Sequence, residues 1–105
     1  MSATRPETPV TQITFIEPNP GQQDEALAVM AERADFMARQ PGFISIQLHR
    51  SLDGKRIVNY IQWKNLALLH AAHESPEFRK EWTRFDRLTD QIDPHLYEVT
   101  HSMHA

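Results

Sequence analysis

The segment from Phe43 to Trp63 constrains the fold more than any other part of the chain. Two runs of alternating side chains, Phe43 to Arg50 and Arg56 to Trp63, flank Ser51-Leu52-Asp53-Gly54-Lys55. The Asp53-Gly54 pair supplies the positive φ that a tight connection needs, so the two runs fold back on each other as an antiparallel hairpin. In the first run Phe43, Ser45, Gln47 and His49 fall on one side, with Ile44, Ile46 and Leu48 on the other. In the second, Ile57, Asn59, Ile61 and Trp63 alternate with Val58, Tyr60 and Gln62.

The remaining chain supplies two more strands and two helical regions. Thr11 to Glu17 alternates and is rich in β-branched residues, which predicts a strand ending at Pro18 that shows Ile13 and Phe15 to one face. Asn19-Pro20-Gly21-Gln22 offers an N-cap, a proline at the first helical position and a glutamine at the third, so a helix is expected from there to about Arg39. Leu27, Met30, Ala34 and Met37 form its apolar stripe, and Pro41-Gly42 stops it. Asn65 caps a short helix over Leu66 to Ala72, and Ser75-Pro76 starts another segment in which Phe78, Trp82, Phe85 and Leu88 recur at helical spacing. His95 to Met103 alternates again and predicts a fourth strand after Asp93-Pro94. The order β-α-β-β-α-β describes an α+β, ferredoxin-like fold, a four-stranded antiparallel sheet with helices on one face. Residues 1–10 are polar and carry Pro6 and Pro9, which predicts a flexible arm ahead of one domain over 11–105.

Helices on one face leave the other face of the sheet bare. Apolar residues amount to 40% of the chain, a little under the usual share for a globular domain. Ile44, Ile46 and Leu48, or Val58 and Tyr60, would be exposed on that face, and a second copy of the same sheet is the simplest cover. A homodimer is expected. With 11 Lys and Arg against 14 Asp and Glu, net −3, and no basic block, the chain lacks the electrostatic footprint of a nucleic-acid binder. It has no cysteine, hence no disulfide, thiolate nucleophile or sulfur-ligated zinc. No run of about 18 apolar residues suggests a membrane span, nor does the N-terminus read as a signal peptide. A cytoplasmic location is expected.

Asn59 is the anomaly of the third strand. An amide between Ile57 and Ile61 on a half-buried face must find partners, or it costs about 1–3 kcal/mol. Trp63 stands roughly 13 Å farther along that face, a span that suits a planar aromatic molecule. Equally, Asn59 can bond a nearby backbone group while Trp63 packs in the core. His70 and His73, one helical turn apart, have the spacing of a metal pair, of a general base with its neighbour, or of two solvent-facing residues. Trp82 belongs to an aromatic stripe that suits a core or the edge of a pocket. Tyr97 can direct a hydroxyl into a pocket or pack across strands.

Gln40-Pro41-Gly42-Phe43-Ile44-Ser45, followed by His49 through Trp63, resembles the antibiotic biosynthesis monooxygenase family over about residues 11–103. The resemblance implies a dimeric α/β barrel in which two ferredoxin-like protomers face their sheets together, each with a pocket between sheet and helices. The Asn-x-x-x-Trp spacing of Asn59 and Trp63 is similar to that of the anthrone and quinol monooxygenases that use no cofactor. Such an enzyme oxidises a planar phenol, anthrone or quinol with dioxygen, without metal or flavin. By that resemblance Asn59 and Trp63 are the catalytic pair; Ile57, Ile61, His70, His73, Trp82 and Tyr97 are the residues expected around the substrate from their places on the strands and helices. Two departures bear on substrate. Leu69 stands where anthrone-oxidising relatives have a tyrosine, and Arg84 is only near the place of their arginine. Trp82 occupies the place of the iron-binding histidine of haem-degrading relatives, which disfavours haem. A binding or regulatory module on the same dimeric barrel is the alternative.

Overall fold

The structure, a computed structural model, describes residues 8–80 and 87–105. Trp82, Arg84, Phe85 and residues 1–7 of the expected arm lie outside the described residues. The elements are β1 (Val10–Pro18), α1 (Gln23–Ala38), β2 (Phe43–Arg50), β3 (Ile57–Trp63), α2 (Leu66–His73), α3 (Pro76–Lys80) and β4 (Thr89–Tyr97). One antiparallel sheet runs in the order β2-β3-β1-β4, the ferredoxin-like arrangement. Among the described residues no helix is long and apolar enough to cross a membrane.

The β2–β3 connection is held by its own polar groups. Ser51 N–H donates to the Arg56 carbonyl at 3.0 Å, and Asp53 Oδ1 accepts from Lys55 N–H at 2.9 Å and from the Ser51 hydroxyl at 2.6 Å. At the other end of β2, Gly42 has φ +88°, and a Cβ there would come within 2.5 Å of Leu68 Cδ1. Both backbone and space therefore demand glycine at that position. Asn65 Oδ1 accepts from Leu68 N–H at 2.9 Å, and Ser75 Oγ accepts from Phe78 N–H at 3.3 Å, so both expected N-caps are present.

Three boundaries differ from the sequence reading. Asn19-Pro20-Gly21-Gln22 is a turn, closed by Gln22 N–H on the Asn19 carbonyl at 2.9 Å, with Gly21 at φ +78°. Proline followed by a positive-φ glycine is the signature of a type II turn, so α1 begins at Gln23 instead. Asn19 ties down the far chain, its Nδ2 donating to the Arg87 carbonyl at 2.9 Å. Strand β4 begins at Thr89 and ends at Tyr97, six residues before the predicted start at His95. Pro94 lies inside it, which an edge strand tolerates because its outward N–H has no ladder partner.

The third difference is a bulge in β2. Phe43 pairs with Trp63 but Ser45 with Gln62 and Ile46 with Ile61, so the register shifts between Phe43 and Ser45. The extra residue reverses the alternation downstream. Ile46 and Leu48, opposite Ile61 and Asn59, thus face the helices and not the bare face assigned to them above. Ile44 stays on the bare side, 51% exposed, where Phe15 is 50% exposed, together with Ile13, Val58 and Tyr60.

The helix-facing side holds two separate apolar clusters. One joins Ile16, Ala26, Val29, Met30 and Ile57. The other joins Val10, Met37, Ile61, Trp63, Leu69 and Ala72. Along β1 the residues between Ile16 and Val10 on this face are Thr14 and Gln12; along β3, Asn59 lies between Ile57 and Ile61. Thr14 and Asn59 are direct cross-strand partners. A polar band therefore crosses the middle of the sheet and divides the core.

Candidate active site

A cavity of about 210 Å³ occupies that division. Its floor is the polar band of Gln12, Thr14 and Asn59, with Ile46 and Ile61 beside it. Its roof is α1 at Met30, Arg33, Ala34 and Met37, and its end wall is His73 of α2 with Phe78 of α3. The spacing explains why a cavity forms. On α1, Met30 belongs to one cluster and Met37 to the other, and the turn between them offers a single methyl at Ala34 and a charged side chain at Arg33. Between these two methionines α1 therefore projects nothing apolar and large onto Asn59.

Asn59 Oδ1 is buried and without a hydrogen-bond partner. A buried acceptor left unmade costs about 1–3 kcal/mol, and rotation of the amide by half a turn would present Nδ2 in its place, so the position can address a ligand as donor or acceptor. Trp63 Nε1 is the other such atom among the described residues. Its ring, however, is 0% exposed and does not border the cavity. It is packed edge-on against Phe43 at 6.0 Å and His73 at 6.4 Å between centroids. Asn59 thus meets the cavity directly, and Trp63 reaches it through the His73 ring.

His73 is half-buried, its ring 4.8 Å from that of Phe78. Burial above all, with the positive charges of Arg33 and His70, lowers its pKa from 6.5 to about 4, so at neutral pH the imidazole is uncharged and able to accept a proton. The Arg33 guanidinium carbon lies 4.4 Å over the Phe78 ring, a cation–π contact. His73, Phe78 and Arg33 therefore form one stacked corner.

The structure brings Asn59, Ile61 and His73 together and sets Ile57, His70 and Tyr97 apart, while Trp82 lies outside the described residues. Ile57 is 0% exposed in the first apolar cluster and does not line the cavity. His70 points to solvent. Tyr97 pairs with Thr11, on the opposite face of the sheet from Asn59, and is 43% exposed; this register against β1 keeps it off the pocket. Among the described residues no three His, Cys, Asp or Glu side chains converge as ligands for a metal. Arg33 was missed by the sequence reading. The signal was its place three residues after Met30 and four before Met37, a charge inside the apolar stripe.

The antibiotic biosynthesis monooxygenase family matches residues 9–81. The chain belongs to this family. A tetracenomycin-F1 monooxygenase of Streptomyces glaucescens is 37% identical over 71 residues, 68% of this chain and 62% of that protein; the match thus spans less than two thirds of that relative. SnoaB of Streptomyces nogalater, described as a cofactor-independent oxygenase, shares 27% identity with a TM-score of 0.85 over 91% of this chain and 97% of SnoaB. Rv0793 of Mycobacterium tuberculosis, at 18% identity, has a TM-score of 0.80 over 90% of this chain and 98% of its own, a likeness of fold. The family fold therefore carries, in this member, a cavity centred on an amide with an unmade hydrogen bond.

Proposed function

We propose that this family member is a monooxygenase without a cofactor, which uses dioxygen to oxidise a planar phenolic, anthrone or quinol substrate between sheet and helices. The observation that carries the reading is the buried Oδ1 of Asn59, without a hydrogen-bond partner, on the floor of a mostly apolar cavity. The names of SnoaB and of the tetracenomycin-F1 monooxygenase support it.

The chemical problem is that triplet dioxygen reacts slowly with closed-shell molecules, so the substrate must first become an electron-rich anion. With its amide turned so that Nδ2 takes the place of Oδ1, Asn59 donates to the oxygen on which that charge develops, an interaction strengthened where water is excluded. His73 takes the departing proton. Its low proton affinity in the empty cavity rises once an oxyanion forms beside it, so charge and proton move together. The anion passes one electron to dioxygen, and the radical pair joins as a carbon–oxygen bond. Protonation gives a hydroperoxide. Loss of the second hydrogen from that carbon with cleavage of the O–O bond leaves a carbonyl and water, so that CH2 and O2 become C=O and H2O.

The unit is proposed to be a homodimer joined through the bare sheet face, with Phe15 and Ile44 at its centre. A second reading, a binding module without catalysis, draws on the enclosure of Trp63, which takes its indole out of reach of a ligand. Oxygen uptake with a panel of anthrones, naphthoquinols and catechols, in the presence of chelator, separates the two. Turnover that falls at least tenfold in Asn59→Ala, and less in Trp63→Phe, is expected. No turnover by the wild type would leave the binding module, and turnover by both variants equal to that of the wild type would take the chemistry away from this pair.

A further inference from the structure

Gln12 is a polar residue of the cavity floor that the oxygenation scheme above does not use. It faces the helices from β1, half-buried, and lines the cavity. Its neighbours on that face, Val10 two positions back and its cross-strand partner Ile61, are both buried in one apolar cluster. An apolar side chain at position 12 would extend that cluster, so the amide forgoes burial that the fold could have had. Thr14, two positions on, is only 8% exposed and also lines the cavity. Among the described residues neither the side-chain amide of Gln12 nor the hydroxyl of Thr14 has a hydrogen-bond partner. With Oδ1 of Asn59, neighbouring polar side chains on the floor thus keep hydrogen-bonding capacity that the fold leaves unused.

We propose that Gln12 is a further catalytic residue, whose amide receives the oxygen that the reaction adds, at the end of the substrate ring opposite to the oxygen held by Asn59. The inference rests on the oxygenase reading above and deepens it. Asn59 pairs with Thr14 and Gln12 with Ile61, so the two amides are diagonal neighbours across β3 and β1. Such neighbours stand roughly 7–8 Å apart at the backbone, and both side chains rise from one face, so together they bracket a six-membered ring. In the oxygenation step the carbon–oxygen bond forms at the ring carbon opposite the oxyanion. The oxyanion becomes a carbonyl, and its negative charge passes to the terminal oxygen of the new peroxide. The proton taken up by His73 returns to that oxygen to give the hydroperoxide. Charge therefore crosses the ring from one end to the other, and a donor at each end meets it in turn: the amide of Asn59 first, then Gln12 Nε2. A flat molecule that fills the cavity also displaces water from the floor, and a polar group it does not match is left without a partner. A site of this kind discriminates sharply against an analogue that lacks the matching oxygen.

Equilibrium binding tests the placement without turnover. Anthraquinone carries a carbonyl at both ends of its central ring. Xanthone has the same flat frame with one carbonyl and a ring ether at the other end, and neither has a hydrogen on that ring to oxidise. Both are titrated by fluorescence quenching against wild type, Gln12→Met and Gln12→Glu. The wild type is expected to favour anthraquinone by about tenfold or more. Gln12→Met keeps the length of the side chain without its donor and should bind the two probes alike, with xanthone affinity unchanged. Gln12→Glu sets an acceptor against the second carbonyl and should bring anthraquinone below xanthone. Equal binding of the two probes by wild type, an unchanged ratio in Gln12→Met, or no binding of either probe overturns the proposal. In oxygen uptake Gln12→Met is expected to lower kcat with little change in KM, because the added oxygen is absent from the bound substrate. Wild-type turnover with an unaltered kcat in Gln12→Met overturns the role of Gln12 alone. A probe preference without any wild-type turnover instead removes the oxygenase reading and leaves Gln12 as a ligand contact.

Discussion

Protonation of His73 sets a measurable acid limit on stability. The side chain sits between Trp63 and Phe78, with Arg33 and His70 as the charged groups that act on it, and its pKa falls from 6.5 to about 4. A histidine that resists protonation in the folded state is protonated first in the unfolded one. The unfolded chain then binds more protons between these two pKa values, and stability falls as pH drops through that window. For a shift from 6.5 to about 4 the linkage amounts to roughly 2 kcal/mol at about pH 5, and close to zero at about pH 7.5. Because the ring keeps some contact with solvent, the effect expected is about 1 kcal/mol. His73→Gln removes the titration and keeps a polar group. Urea denaturation of both proteins, at equal chain concentration to hold any association constant, should show the wild type losing about 1 kcal/mol more than the variant between about pH 7.5 and about pH 5. Carboxylate titrations are common to both and cancel in the difference. Parallel pH curves, or a larger acid loss in His73→Gln, would refute the reasoning.

The buried amide leads to an opposite pairing of stability and activity. Asn59→Leu removes an acceptor that has no partner and is expected to raise stability by about 1 kcal/mol, seen as a higher urea midpoint, while abolishing oxygen uptake; a lower midpoint counts against the amide being unsatisfied. Gly42→Ala, at φ +88° with Leu68 in the path of the new methyl, should cost at least about 1 kcal/mol, again read from the urea midpoint. Phe15→Asp, on the bare face where Phe15 is 50% exposed, should elute from gel filtration as a monomer where the wild type elutes as a dimer. Unchanged elution would move the interface elsewhere.

The hairpin, the element order and both caps of the second helical region were legible because each rests on local chemistry: Asp53-Gly54, Asn65 and Ser75 act on residues a few positions away. Errors arose where one local signal served two structures. Asn19-Pro20 reads as a helix start, yet Gly21 turns the same residues into a tight turn. Pro94 reads as a break, yet it is tolerated once β4 is known to be at the sheet edge, a fact of topology. The bulge at Ile44 has no signature of its own in an alternating run, so Ile46 and Leu48 were placed on the wrong side. In the site, Asn59 was visible as a polar residue in an apolar rhythm. Arg33 follows the same logic on α1 and escaped because the helix stripe was read from its apolar members alone. The face of Tyr97 is set by its register against β1, which the alternation of one strand does not reveal.

The proline in β4 also bears on how copies of this chain can add to one another. An outer strand with unpaired backbone groups invites further strands, and each addition exposes a new edge, so growth has no natural end. Pro94 puts a ring and a missing donor in the row that an incoming strand would have to match. Association across the broad face is not affected, and two copies joined that way bury the surface that joined them. A single imino acid at the rim thus works against an open-ended fibre growing from this edge, and replacing it by threonine or valine should reveal the difference as slow, concentration-dependent aggregation in a chain that otherwise keeps its fold.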